Sequence, residues 1–200
     1  MDYDKEYFEC GLEKGASCYQ NYIWMPEATM SFAMRIIDYF KLTPNKVILD
    51  FECAKGFLVK AFRLLHRQAY GYDISEYAIS CVPEYTKKYC SNIIPNNFIF
   101  DFCIAKDVFE HMEEKELIKT MNNLQVKTLF VVVPLGENGK YRSTINDFDK
   151  THKLCIDEKC WTDIFNRTNY KLKEFSFSWF DIKEDHPYES HGFYVLEREV

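Results

Sequence analysis

The apolar positions fall into a repeated order of short runs and helical stripes. Met30, Ala33, Met34, Ile37 and Phe40 recur at helix spacing, so a helix with one apolar face is predicted until Thr43-Pro44 ends it. Pro26 suits its first turn and Glu27 the positive end of its dipole. Val47 to Phe51 is a continuous apolar run broken only by Asp50, the mark of a buried strand. Beyond Gly56, the residues Phe57, Leu58, Ala61, Phe62 and Leu65 outline a second helix. Ala69 to Ile74 reads as a strand, and Ser75 as the N-cap of a short helix from Glu76 to Cys81, stopped by Pro83. Phe98 to Ala105 is a third apolar run, and Glu113 to Leu124 a surface helix facing inward with Leu117, Ile118, Met121 and Leu124. Thr128 to Val133 is the most strand-like segment of all. Pro134, Gly136, Asn138 and Gly139 open a long loop that runs to about Leu154. A helix over Asp157 to Thr168 follows, with Trp161, Ile164 and Phe165 on one side. Leu172 to Phe180 and Gly192 to Glu197 then alternate, as an antiparallel pair of half-buried strands would. Ahead of all this, residues 1–25 read as an irregular arm rich in aromatics (Tyr3, Tyr7, Phe8, Tyr19, Tyr22, Trp24), leaving residues 26–200 as the domain proper.

Strands alternating with helices imply an α/β fold, a mostly parallel sheet covered on both faces. Ligands of such sheets lie beyond the carboxyl ends of the strands, where the strand order reverses. The site is therefore expected among Asp50 to Gly56, Asp73 to Ser75, Ala105 to His111 and the loop after Val133.

Composition narrows the classes. The 200 residues suffice for one domain, and 47% hydrophobic content suffices for its core. A net charge of -6 and the lack of any Lys/Arg cluster argue against a nucleic-acid binder. No apolar stretch approaches the roughly 20 residues of a membrane helix. The opening MDYDKEYFECGLEKG lacks signal-peptide features. The eight cysteines form no C-x-x-C pair and no closely spaced zinc-ligand set, so no metal is expected. They read as buried, reduced thiols of a cytoplasmic protein.

The turn Asp50-Phe51-Glu52-Cys53-Ala54-Lys55-Gly56 joins a strand to a helix. Small residues there let a ligand approach the backbone, and the helix N-terminus favours a negative group. Asp73 closes the next strand, where a carboxylate can accept both hydroxyl protons of a ribose or simply serve the helix that follows.

The segments VILDFECAKGFLVKAF, AYGYDISEYAI and IAKDVFEHM, with the final strand pair, resemble class I S-adenosylmethionine-dependent methyltransferases over about residues 27–200. The opening CGLEKGASCYQNYIWMPE is similar to small bacterial and phage members linked to sugar or polysaccharide modification. The resemblance implies a Rossmann-like sandwich with a seven-stranded sheet and a C-terminal antiparallel hairpin. It implies S-adenosylmethionine as cofactor and methyl transfer to a small acceptor, a sugar or metabolite oxygen. Its first motif, Asp-x-Gly-x-Gly-x-Gly, falls on Asp50, Glu52, Ala54 and Gly56, so two glycines are replaced. Glu52 could crowd the methionine part of the cofactor, turn outward, or pair with the cofactor's ammonium group. If it crowds, Glu52→Gly tightens binding. Carried over in the same way, Cys53, Phe57, Asp73 and Ile74 belong to the cofactor site. Asn92 stands where relatives carry the acid that meets adenine. Lys106 and Asp107 lie beside the methionine part, though Asp107 could equally cap the next helix. His111 of DVFEHM is either part of a fixed loop or catalytic. In the loop bordering the acceptor pocket, His152 reads as a base oriented by the Asp149 carboxylate, or as a loop histidine bonded to backbone. Tyr19, Tyr22 and Trp24 could close over the cofactor or pack the arm down. The altered motif also admits a second function, a non-catalytic or degenerate methyltransferase-fold protein with weakened cofactor binding.

Overall fold

Nine strands and six α-helices make up the fold in the computed structural model, which describes residues 3–94, 99–180, 183 and 186–199. Seven of the strands form one sheet: β1 (Val47–Phe51), β2 (Gln68–Tyr72), β3 (Cys90–Ser91), β4 (Phe100–Lys106), β5 (Val126–Pro134), β8 (Tyr170–Ser176) and β9 (His191–Arg198), in the order β3-β2-β1-β4-β5-β9-β8. The first five run parallel. β9 runs antiparallel between β5 and β8, so the final hairpin supplies the reversed strand, as the alternating pattern predicts. A small hairpin, β6 (Gly136–Glu137) with β7 (Lys140–Tyr141), stands apart.

Strand alternation sends side chains to two separate cores. Ile48, Phe102, Ile104, Phe130 and Val132 pack with Ile36 of α2 (Pro26–Tyr39) and Val59 and Phe62 of α3 (Phe57–Leu64). Their neighbours Leu49, Cys103, Leu129 and Val131 point the other way, onto Leu117 and Met121 of α5 (Glu114–Asn123) and Trp161 and Phe165 of α6 (Glu158–Phe165). The sheet is thus covered on both faces. The polar ends of β1, β2 and β4 emerge side by side, because β1 lies between β2 and β4, where the strand order reverses.

Several expectations need correction. The arm is not wholly irregular: Lys5–Cys10 is a helix, α1, capped by Asp4, whose side chain accepts from the Tyr7 amide. β3 was not expected, since two residues carry no periodicity. The third apolar run enters the sheet only at Phe100, and Phe98 lies outside the described residues. β8 ends at Ser176, short of Phe180. The loop after β5 holds the β6–β7 hairpin and a short 3-10 turn over Thr144–Phe148. Only Cys53, Cys90 and Cys103 are buried, although all eight cysteines are unpaired thiols. Ser75 does cap a helix, α4 (Glu76–Ser80), accepting from the Ala78 amide.

Candidate active site

The turn between β1 and α3 holds a glycine's backbone without the glycines. Glu52, Ala54 and Gly56 all have left-handed φ values, 60°, 49° and 68°. Gly56 is demanded by packing as well, since a Cβ there meets Cys90 Sγ at 2.9 Å. Across the strand ends, Asp73 ties the turn down: Oδ2 accepts from the Ala54 amide (2.6 Å) and Oδ1 from the Ser75 amide (2.7 Å). Glu52 Oε2 accepts from the Ile74 amide (3.0 Å), so its side chain leans toward the end of β2. Burial and the Asp73 and Asp50 charges push the Glu52 carboxyl up to about 8. Asp50, buried beneath the turn, is pushed up to about 7 by burial and by Asp73.

At the end of β4, Asp107 also adopts left-handed φ (56°). Its carboxylate pairs with Lys106 and with Lys183 (2.8 Å). Despite burial, these two ammonium groups hold it well below the usual carboxylate range. Asp107 caps no helix, because the next turn, Phe109–His111, starts at Val108 without a side-chain cap.

The arm and the loop after β5 close the remaining sides. Lys55 is pinned to Glu9 and donates to the Tyr22 carbonyl (2.8 Å), and Ser75 Oγ donates to the Tyr3 carbonyl. Tyr7 OH donates to Asp149 Oδ2 (3.0 Å). Asp149 Oδ1 accepts from both the amide (2.9 Å) and the hydroxyl (2.6 Å) of Thr151. That hydroxyl has one proton, given to the carboxylate, so Thr151 Oγ1 accepts from His111 Nδ1 at 2.7 Å. The His111 tautomer follows: Nδ1 carries the hydrogen and Nε2 a free lone pair. Burial lowers His111 to about 4 and moves His152 down as well, so both rings are neutral at ordinary pH. The two rings stack edge to face at 4.6 Å, and His152 Nε2 lies 4.0 Å from the buried Glu110. Ligand atoms of Glu110, His111 and His152 all lie within 4.8 Å of one another, a grouping able to hold a metal ion.

Between these walls is a cavity of about 360 Å³. Of the residues singled out in the sequence, Glu52, Ala54, Asp73, Ile74, Asp107 and His111 line it, and Tyr19 is part of its aromatic wall. Asp50, Cys53, Gly56, Phe57, Asn92 and Lys106 do not. Phe57 stacks on Tyr22 (5.4 Å), and the Asn92 amide donates to the Asp73 carbonyl (3.0 Å) rather than facing a base. Lys106 is committed to Asp107. Trp24 packs outside, beneath the Lys60 ammonium at 4.3 Å. Asp149 and His152 sit behind the lining, and Asp149 orients His111 through Thr151 instead of orienting the His152 ring. Sequence reasoning passed over Tyr3, Tyr7 and Phe8 as site residues, and over Thr151 and Glu110. The density of aromatics in the arm was the available signal; nothing local marks Thr151.

No protein-family model matches the chain, and no curated protein matches it. Solved structures do. The mitomycin 7-O-methyltransferase MmcR is 11% identical with a TM-score of 0.62, matched over 86% of this chain and 54% of that one. The chain thus spans about half the length of that protein. An S-adenosylmethionine-dependent methyltransferase from Clostridium acetobutylicum ATCC 824 is 10% identical, TM-score 0.62, over 87% and 92% of the two chains. Magnesium protoporphyrin IX methyltransferase (ChlM) from Synechocystis PCC 6803, with bound S-adenosylmethionine, is 14% identical, TM-score 0.59, over 86% and 79%. The fold is the Rossmann-like methyltransferase sandwich.

Proposed function

We propose that this protein transfers a methyl group from S-adenosylmethionine to an oxygen of a small acceptor, a sugar or metabolite hydroxyl. The observation that carries the reading is the convergence of the left-handed turn after β1, the Asp73 carboxylate after β2 and the His111 Nε2 lone pair on one cavity. Glu52, Ala54, Asp73, Ile74 and Asp107 form the cofactor wall, with Asp73 meeting the ribose hydroxyls. When bound, the cofactor supplies a methyl group on a sulfonium, whose C–S bond breaks with its electron pair left on sulfur. The chain's own work is to exclude water with Tyr3, Tyr7, Phe8 and Tyr19 and to hold the acceptor oxygen in line, and positioning of this kind can supply most of the acceleration. His111 lines the cavity, and its Nε2 can take the hydroxyl proton as the oxygen bonds to the methyl carbon.

Calorimetric titration with S-adenosylhomocysteine tests this. Asp73→Ala is expected to weaken binding more than about tenfold, the size of a lost charged hydrogen-bond pair at ~1.5–3 kcal/mol. Unchanged affinity removes Asp73 from the site. The second reading, a degenerate binding protein, draws support from Glu52 in the cavity wall. Glu52→Gly separates the two: binding tightened by roughly one to two orders of magnitude marks Glu52 as crowding the cofactor, and weaker binding marks it as a cofactor ligand.

A further inference from the structure

We propose that Glu110, His111 and His152 form a binding site for one divalent first-row transition-metal ion, adjoining the cavity at His111. The three ligand atoms already lie within 4.8 Å of one another. Bonds of about 2.0–2.2 Å place donors on one ion roughly 3–3.5 Å apart, so modest side-chain rotations close the site.

Two buried polar atoms of the set have no hydrogen-bond partner among the described residues. Glu110 is 1% exposed, and its Oε2 has no hydrogen-bond partner among the described residues. His152 Nδ1 is buried and unpartnered in the same way. An atom left so costs about 1–3 kcal/mol, and an ion on the Glu110 carboxylate removes that cost there. The third ligand is prepared differently. Tyr7, Asp149 and Thr151 hold the His111 hydrogen on Nδ1 and leave Nε2 as a donor, the outer-shell arrangement that orients metal-binding imidazoles. Two imidazoles with one carboxylate suit manganese, iron, cobalt or zinc, and supply too few oxygens for calcium. Asp107, the nearest other carboxylate of the cavity wall, is taken up by Lys106 and Lys183. The sequence conceals the set because His152 comes from a separate loop after β5.

The role of the ion rests on the methyl-transfer reading: a hydroxyl bound to it ionises at lower pH and attacks more readily. Binding of the ion does not depend on that reading. The full chain, stripped with a chelator, is titrated with Mn2+ and, separately, Co2+. One ion per chain is expected, with nitrogen couplings from two imidazoles in the pulsed electron paramagnetic resonance spectrum of the Mn2+ form. Glu110→Gln and His152→Ala are each expected to weaken binding more than about tenfold, and Thr151→Val to weaken it while Thr151→Ser restores it. No binding at millimolar Mn2+ and Co2+, a thiolate-to-cobalt charge-transfer band, or Mn2+ bound without nitrogen coupling overturns the site, and the spectra need no variant to fold. A titration with S-adenosylhomocysteine on the same sample reads the other claim: its failure beside intact metal binding removes methyl transfer and leaves the metal site standing.

Discussion

Glu52 and Ala54 occupy a backbone region that costs an L-residue roughly 1–2 kcal/mol, and glycine almost nothing. The turn keeps this shape because Asp73 grips the Ala54 amide and Glu52 grips the Ile74 amide. On chain entropy alone Glu52→Gly loses stability; at a φ of 60° the relieved strain acts in the opposite direction. Ionisation of Glu52 has a definite sign as well. Its folded value, about 8, lies above the ordinary 4.5, so the folded state holds the proton more tightly. The resulting stability is complete below about 4.5 and lost as pH rises through about 8. Asp50, raised to about 7, acts in the same direction. Glu52→Gln is therefore expected to flatten the fall in urea midpoint across this range, leaving the part due to Asp50. An identical pH profile in the variant rules out Glu52 as a source.

Among the elements, the arm is held in part by one buried ion pair. Lys55 is 8% exposed and joins Glu9 and the Tyr22 carbonyl, while Tyr77 OH donates to Glu9 (2.8 Å). Lys55→Ala leaves the Glu9 carboxylate and the carbonyl without their shared partner, at about 1.5–3 kcal/mol. Falling on the arm alone, that cost raises its open population about 10- to 150-fold, so cleavage within residues 3–22 by a trace of chymotrypsin is expected to accelerate by a similar factor. An unchanged cleavage rate shows that the aromatic contacts hold the arm without the ion pair. The central strands were legible in the sequence because burial on both faces writes them as unbroken apolar runs, as in β1 and β5. The helices were legible from their stripes, with ends misplaced by a residue or more. β3 and α1 were not, the one too short for a period and the other hidden among aromatics that serve the cavity instead of a helix face. In the site, Asp73 and Glu52 were readable from position after a strand. Asn92 lies off the cavity wall, its amide donating to a backbone carbonyl. The bond from Asp149 to His111 runs through Thr151, and such indirect contacts leave no spacing signal.

At the scale of the whole molecule, net charge bears on the acceptor proposed above. Thirty-one acidic against twenty-five basic side chains leave -6, and a phosphate chain gains no counterion-release energy from such a surface. In a filter-binding assay, unstructured RNA is expected to be retained weakly and with little dependence on salt. A complex that tightens steeply as salt is lowered would sink the small-molecule acceptor and point to RNA.

The wall formed by the arm has a consequence for synthesis. Tyr7 meets Asp149 across 142 positions of chain, and Ser75 meets the Tyr3 carbonyl across 72. A ribosome therefore releases this aromatic stretch first and its docking partners much later. Until the loop after β5 has emerged, Tyr3, Tyr7, Phe8 and Tyr19 have no complete surface to cover. The cavity is accordingly walled by a segment synthesised well before the loop on which it docks.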